Sequence, residues 1–388
     1  MPEETPEIRT ADPRRLIRVT LQTADQPDQV FEGPLHATTG DFLRAADLTH
    51  DTAPLIACIC DGQLRELTYV PAHDVTLRPV TLATSDGGRI YRRSLVLLMT
   101  TAAAELWPGC RLSVRYAVPD GGFYCTRTGN APFTAAELDQ LETHMRAIVA
   151  SDDPITRRSQ LLTDIREMYK QRQEFDKIRL LQQRERDHLT MYTLRGRSDY
   201  YYGYMVPSTG YLQYFRLIRV REGFILQYPR RETPTKLRAI RAYDKLGAVF
   251  QQTDNWLERM NVEDMGRLNE VIREDKRLHE LILVAEALHE QNIASIATHI
   301  GTQHEAKGTR LVLIAGPSSS GKTTFAKRLA IQLLAHGLQP FTLELDNYFV
   351  DREKTPLDAD GNYNFEALEA IDLPLFNQHL LQLTQHAP

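Results

Sequence analysis

The nonapeptide Gly316-Pro-Ser-Ser-Ser-Gly321-Lys322-Thr323-Thr324 constrains this 388-residue chain more than any other stretch. It follows Arg310-Leu-Val-Leu-Ile-Ala315, a short apolar run that reads as a buried strand. It precedes Thr323–Ala335, whose apolar residues recur at helical spacing up to a stop at His336-Gly337. A strand, a glycine-bounded loop and a helix are the context in which G-x-x-x-x-G-K-[ST] becomes a phosphate-binding loop. Backbone N–H groups and the positive end of the helix face one point there and stabilise an anion. Gly316 and Gly321 let the backbone come close, and the N–H groups of Ser318, Ser319 and Ser320 line the loop. Lys322 supplies a mobile charge for the β- and γ-phosphates, Thr323 is placed for Mg²⁺, and Thr324 continues the first helical turn. The expectation is a nucleoside triphosphate site, with ATP and Mg²⁺ as cofactors.

Composition narrows the rest. The length suggests two to three domains, and 42% hydrophobic with 25% charged residues is ordinary for a globular chain. A net charge of −5 argues against a general nucleic-acid coat. The four cysteines, Cys58, Cys60, Cys110 and Cys125, lack paired C-x-x-C spacing and read as reduced structural thiols rather than zinc ligands. Neither a signal peptide nor a transmembrane-length apolar run is present, so the reading is cytoplasmic with no membrane contact. The sequence sets no oligomeric state.

The fold class expected is multidomain, α+β followed by α/β. Residues 1–15 read as a disordered tail. Residues 16–84 alternate short strand patterns with one helix and read as a β-grasp domain. Ser85-Asp-Gly-Gly-Arg89 reads as a hinge. Residues 85–250 form a second domain, with a helix over about 92–106, two strands, a capping box Thr134/Glu137, a helical stretch over 156–190, and the aromatic segment Tyr200–Gly210. Residues 251–304 read as a helical linker with a polar hinge after it, and 305–388 as the phosphate-loop domain. There a second strand, Pro340–Leu345, would present Asp346 on the loop side, able to accept a proton from an attacking hydroxyl or to hold Mg²⁺.

Three resemblances attach to these segments. Ile56-Ala-Cys-Ile-Cys-Asp-Gly-Gln-Leu-Arg-Glu-Leu67 and its surroundings resemble the TGS domain of threonyl-tRNA synthetases and some GTPases, an accessory module that contacts ligand or RNA. The helix into Leu106-Trp-Pro-Gly109, Asp120-Gly-Gly-Phe-Tyr124 and Val206-Pro-Ser-Thr-Gly210 resemble the editing domain of threonyl- and alanyl-tRNA synthetases. That family holds a metal with H-x-x-x-H and C-x-x-x-H, and the matching positions here are Arg93, Leu97, Tyr201 and Met205. None is a zinc ligand, so the resemblance implies the domain without its hydrolytic centre.

The phosphate loop, Asp346-Asn-Tyr-Phe349 and Asn362-Tyr-Asn-Phe-Glu366 are similar to the uridine kinase/phosphoribulokinase family. This implies Asp346 as catalytic base beside Lys322, with Tyr348, Asn364, Phe365 and Glu366 on a nucleoside substrate. The module order resembles a bacterial class of chimeric uridine kinase-like proteins. A parallel sheet of this kind needs further βα units of about thirty residues each. The reading therefore expects a kinase domain incomplete at Pro388 and a fragment inactive alone. Two alternatives stay open: a TGS-type GTPase, for which no N-K-x-D motif is found, and a nucleotide-switched protein that binds RNA or an amino acid.

Overall fold

The computed structural model describes residues 15–23, 27–47, 53–241, 243–317, 319–358 and 361–385. The chain divides into two compact units, 1–269 and 270–388. The sequence expectation of a tail over 1–15 falls almost wholly outside the described residues.

The first unit opens with β1 (Leu16–Leu21), β2 (Gln29–Pro34), α1 (Thr39–Ala45), β3 (Leu55–Cys60), β4 (Gln63–Arg65) and β5 (Val75–Thr81). The sheet order is β2-β1-β5-β3-β4, with β1 and β5 parallel and the other neighbours antiparallel. Alternation in β1 sends Ile17, Val19 and Leu21 into a core shared with Phe42 and Leu43 of α1 and Leu77 of β5. The helix starts at Thr38, whose hydroxyl accepts from the Asp41 N–H while the Asp41 carboxylate accepts from the Thr38 N–H.

Next come α2 (Ser85–Leu106), β6 (Arg111–Val118), β7 (Gly122–Thr128) and α3 (Ala135–Ser151). The Ser85–Arg89 hinge does not exist: these residues are the first turns of α2, capped by the Thr84 hydroxyl, which accepts from the Gly87 N–H. Glycine is there for space, because a Cβ on Gly87 would stand 2.1 Å from the Thr81 carbonyl oxygen. The Thr134/Glu137 box does cap α3. Both helices cover one face of the sheet β11-β12-β7-β6, whose other strands are given below.

The expected helix over 156–190 is instead β8 (Thr156–Leu161), α4 (Leu162–Gln171), α5 (Phe175–Leu181) and the start of β9 (His188–Leu194), with β10 (Arg197–Tyr200) completing the sheet β10-β9-β8. Thr-Arg-Arg-Ser-Gln-Leu reads poorly as a strand because it is an edge strand exposed along most of its length. The unit continues through β11 (Arg216–Val220), β12 (Gly223–Gln227) and α6 (Asp244–Arg259), and its last residues fall within α7 (Met265–Ile272). All four cysteines are free and buried, and burial pushes the thiols of Cys58 up to about 11 and Cys125 up to about 12.

In the second unit α8 (Asp275–Lys307) runs through the expected hinge and ends at Gly308, which takes the left-handed conformation. α9 (Lys322–Ala335) packs on it through Ile293, Ala297, Leu329 and Leu333. α10 (Leu373–Gln385) follows. The two strands expected at 310–315 and 340–345 join no ladder among the described residues, so the parallel sheet expected for 305–388 is not formed. Leu311, Val312, Leu313 and Ile314 are accordingly left exposed, Leu313 by 81%. An apolar run is buried as a strand only where neighbouring strands take up its N–H and C=O groups. No helix among the described residues is long and apolar enough to cross a membrane.

Candidate functional site

The four positions matched to the metal set do come together, because the segment after β10 runs back along α2. Leu97 and Met205 are buried in the main core of the first unit. Tyr201 packs against the same core, and burial pushes its hydroxyl's ionisation up. The buried Ser94 hydroxyl donates to the Ile90 carbonyl at 2.9 Å and accepts from the Val206 N–H at 3.1 Å, tying helix and segment together.

Arg93 donates to the Tyr204 carbonyl, and its guanidinium lies flat against Gly203. A Cβ at that glycine, whose φ is +110°, would stand 2.8 Å from the guanidinium. A fixed cation, its ionisation pushed down by burial, thus lies where the resemblance would put a metal ligand. Among the described residues no group of three or more His, Cys, Asp or Glu is arranged to hold a metal ion. The donor set at this point does not fit zinc.

The first sheet contributes Arg65 and Glu66 to this cluster, and the sheet β10-β9-β8 contributes Arg157 and Tyr192. Glu66, just after β4, accepts from the Tyr192 hydroxyl at 2.6 Å and from the Met205 N–H at 3.1 Å. Burial first, and Glu66 second, push the ionisation of Tyr192 up. Arg65 donates to the Tyr204 hydroxyl at 3.2 Å and lies 5.1 Å over the Tyr69 ring. Arg157 of β8 sits 5.4 Å over the ring of Tyr204. Tyr202, on the same turn, is 87% exposed.

Three guanidiniums converge on one tyrosine, and the single carboxylate is already occupied by neutral donors. Guanidinium planes and aromatic faces of this kind suit phosphates and unstacked bases. The aromatic run Tyr200–Tyr204 was a visible signal in the sequence, but Arg65, Glu66, Arg157 and Tyr192 reach it only through tertiary packing.

The phosphate loop forms as a turn into α9. Ser319 and Gly321 have φ of 60° and 83°, and the Phe325 N–H bonds the Gly321 carbonyl to open the helix. Gly316 lies close under Ser320, since a Cβ there would stand 2.8 Å from the serine oxygen. Lys322 Nζ folds back over the loop and donates to the Gly316 and Pro317 carbonyls, each at 3.0 Å. Thr323 and Thr324 are exposed in the first turn of α9, and Ser318 lies outside the described residues.

The acceptor-side residues are not tied to this loop. Asp346 is exposed in a 3₁₀ turn rather than at a strand end, and no hydrogen bond or ion pair among the described residues joins it to Lys322 or Thr323. Tyr348 is buried, with its hydroxyl 2.9 Å from His379 and its ring edge-on to Phe376. The Asn364 N–H bonds the Pro356 carbonyl, and the Asn364 side chain accepts from the Glu366 N–H at 3.1 Å. Phe365 is half exposed, edge-on to Phe349 at 6.2 Å, and Glu366 is exposed.

No protein-family model matches the chain. It is similar to the threonine–tRNA ligase of Nitratidesulfovibrio vulgaris, 28% identical over 197 residues, or 50% of this chain and 30% of that protein. The threonine–tRNA ligases of Burkholderia lata and Paraburkholderia xenovorans are 32% and 31% identical over 165 residues, 42% of this chain and 26% of each relative. The chain spans between a quarter and a third of the length of the curated relatives it matches. Similarity over about half the chain fits the mixed α+β organisation of the structure. It also corrects the nucleoside-kinase reading. The curated similarity is to ligases that act on tRNA, not to kinases, and supports neither the transferase chemistry, nor the uridine kinase assignment, nor a nucleoside substrate.

Proposed function

We propose that this protein has an aminoacyl-tRNA synthetase-related function in which the first unit holds the unpaired end of a tRNA without hydrolysing it. The observation that carries the reading is the cleft in which Arg65, Arg93 and Arg157 meet Tyr204 beside the exposed Tyr202. Similarity to threonine–tRNA ligases supports tRNA as the partner. Arginines neutralise phosphate and release counterions, and tyrosine faces accept bases whatever their identity. With Arg93 where a metal ligand would stand, the cleft binds an acyl-tRNA end but has no means of activating water.

Binding of unfractionated tRNA to the full chain, followed by filter retention across a salt series, tests this. Tyr202→Ala and Arg157→Ala are each expected to weaken binding about tenfold, the worth of one base stack or one desolvated cationic contact. Tyr202 is exposed, so its loss leaves the fold intact. No tRNA retention, or retention indifferent to both substitutions, would refute the reading.

The loop Gly316–Thr324 is read as the holder of the phosphates of ATP. Thr323 and Asp346 are its candidate oxygen donors to Mg²⁺, which would neutralise phosphate charge there. Supporting this are the left-handed Ser319 and Gly321, and Lys322, already aimed across the loop. A charged hydrogen bond contributes about 1.5–3 kcal/mol, so Lys322→Ala should lower affinity for ATP·Mg²⁺ about 10- to 100-fold by calorimetry. Equal affinity in the two proteins would remove the loop from the site.

A further inference from the structure

The four-stranded sheet of the first unit has a second face, turned away from α2 and α3. Alternation along β7 sends Phe123 and Cys125 to the core and Tyr124 outward. On β11, Arg216, Ile218 and Val220 share the outward side. Over this face lie residues 239–241 and Tyr243, a strap leading into α6, and between strap and sheet is a half-open pocket of about 760 Å³. That volume is in the range of small-ligand sites.

The strap is anchored rather than loose. Asp120, in the β6–β7 turn, accepts from the Arg241 N–H at 3.1 Å and from the Tyr243 hydroxyl. The Tyr243 hydroxyl is the first cause that keeps this carboxyl below its usual range. The Gln227 side chain donates to the Arg238 carbonyl. At the far end Phe250 stacks on Tyr116 at 3.9 Å, and Gly247 makes room for Arg221 and Tyr116, each within about 3 Å of where its Cβ would stand.

The lining has two chemistries. Its floor is apolar and aromatic, with Tyr124, Ile218, Val220 and Ile225. Its walls carry Arg216, Arg221 and Arg241 against one carboxylate, Asp244, and that carboxylate is already paired with Arg221 at 2.8 Å. Arg216 has no ion-pair partner among the described residues, and the Arg241 side chain reaches Asp120 only at 3.8 Å. Excess guanidinium above an apolar floor suits an anion joined to a flat ring.

We propose that this cavity is a binding site for a small organic phosphate carrying a flat ring, the chemistry of a mononucleotide. The phosphate lies between Arg216 and Arg241, and the ring lies on the floor beside Tyr124. The site lies on the opposite face of the sheet from the α2 cleft, and the inference does not rest on tRNA binding there.

The test is calorimetry on the full chain carrying Lys322→Ala, which weakens the phosphate loop, titrated with AMP, adenosine and inorganic pyrophosphate. AMP should bind, adenosine should bind at least tenfold more weakly, and pyrophosphate should fall below AMP for want of the floor. Arg216→Ala and Arg241→Ala, both at the exposed rim, should each weaken AMP about tenfold. Hydrogen exchange should slow over 216–225 and 239–247 on binding. No AMP binding at millimolar concentration, AMP affinity unchanged by both arginine substitutions, or protection confined to other segments would each overturn the proposal. Displacement of AMP only by an RNA oligomer, with no binding of AMP alone, would overturn it as well.

Discussion

Gly87→Ala destabilises the first unit, whereas Gly88→Ala, one residue on in the same helix, does not. Both glycines lie in the opening turns of α2, where alanine is the better helix former by up to about 1 kcal/mol. The surroundings decide the sign. A Cβ at Gly87 meets the carbonyl oxygen of Thr81 at 2.1 Å and its carbon at 2.7 Å. Both are backbone atoms at the end of β5, so neither turns aside as a side chain would. Either α2 lifts off the first sheet, losing packing of Ile90 and Tyr91 in the main core, or β5 slips.

Overpacking of this kind costs about 1–3 kcal/mol and outweighs the propensity gain. At Gly88 nothing lies within 4 Å, and propensity acts alone. Thermal melts of the two variants should move in opposite directions, Gly87→Ala downward by several degrees, at roughly 2–4 °C per kcal/mol for a unit of this size. Equal shifts would mean that the end of β5 yields, and that the contact between sheet and helix is looser than the geometry requires.

The same glycine shows what the sequence could and could not carry. Asp-Gly-Gly reads locally as a turn, because the reason for Gly87 is the end of a strand six residues back pressing on the helix. Where the determinant is local, reading succeeds: Thr134 and Glu137 cap α3, and Gly321-Lys322 opens α9. Edge strand β8 hides because its exposed positions are mostly polar, and the run 310–315 looks like a buried strand although no ladder among the described residues takes it up. The cleft was half legible. The substituted metal positions and the tyrosine run lie in contiguous segments, but the partners that give them meaning, Glu66 and Arg157, sit about 140 and 50 residues away in the chain. The kinase reading failed for a related reason. It extended a short local motif to a whole domain, while the similarity to tRNA ligases is spread over half the chain.

Asp199→Ala should loosen both the small sheet and the cleft it leads into. Asp199 is 4% exposed and ends β10 with Tyr200, immediately before the segment that carries Tyr201 to Tyr204. Its carboxylate accepts from the Tyr169 hydroxyl at 2.9 Å, from Lys177 Nζ at 2.6 Å and from the Tyr200 N–H at 2.8 Å. Burial first, and this carboxylate second, push the ionisation of Tyr169 up, so the phenol stays a donor at any ordinary pH. Alanine leaves the buried Tyr169 hydroxyl short of its acceptor, the Tyr200 N–H keeps only the Tyr169 oxygen at 3.2 Å, and of its two carboxylates Lys177 keeps Glu174.

Removing one member of a buried pair costs about 3–5 kcal/mol. Lys177 retains some contact with water, which puts the loss at the lower end, about 3 kcal/mol. Asp199→Asn keeps an acceptor for Tyr169 and the Tyr200 N–H and loses only the charge on Lys177, so it should fall between. Since β10 sets where the tyrosine segment begins, tRNA retention should decline in the same order, wild type above Asn above Ala, while ATP·Mg²⁺ binding at Gly316–Thr324 is unchanged. Urea titration gives the first ordering and filter retention the second. If stability drops and tRNA retention does not, the segment is held by α2 and Glu66 alone, and β10 has no part in positioning the cleft.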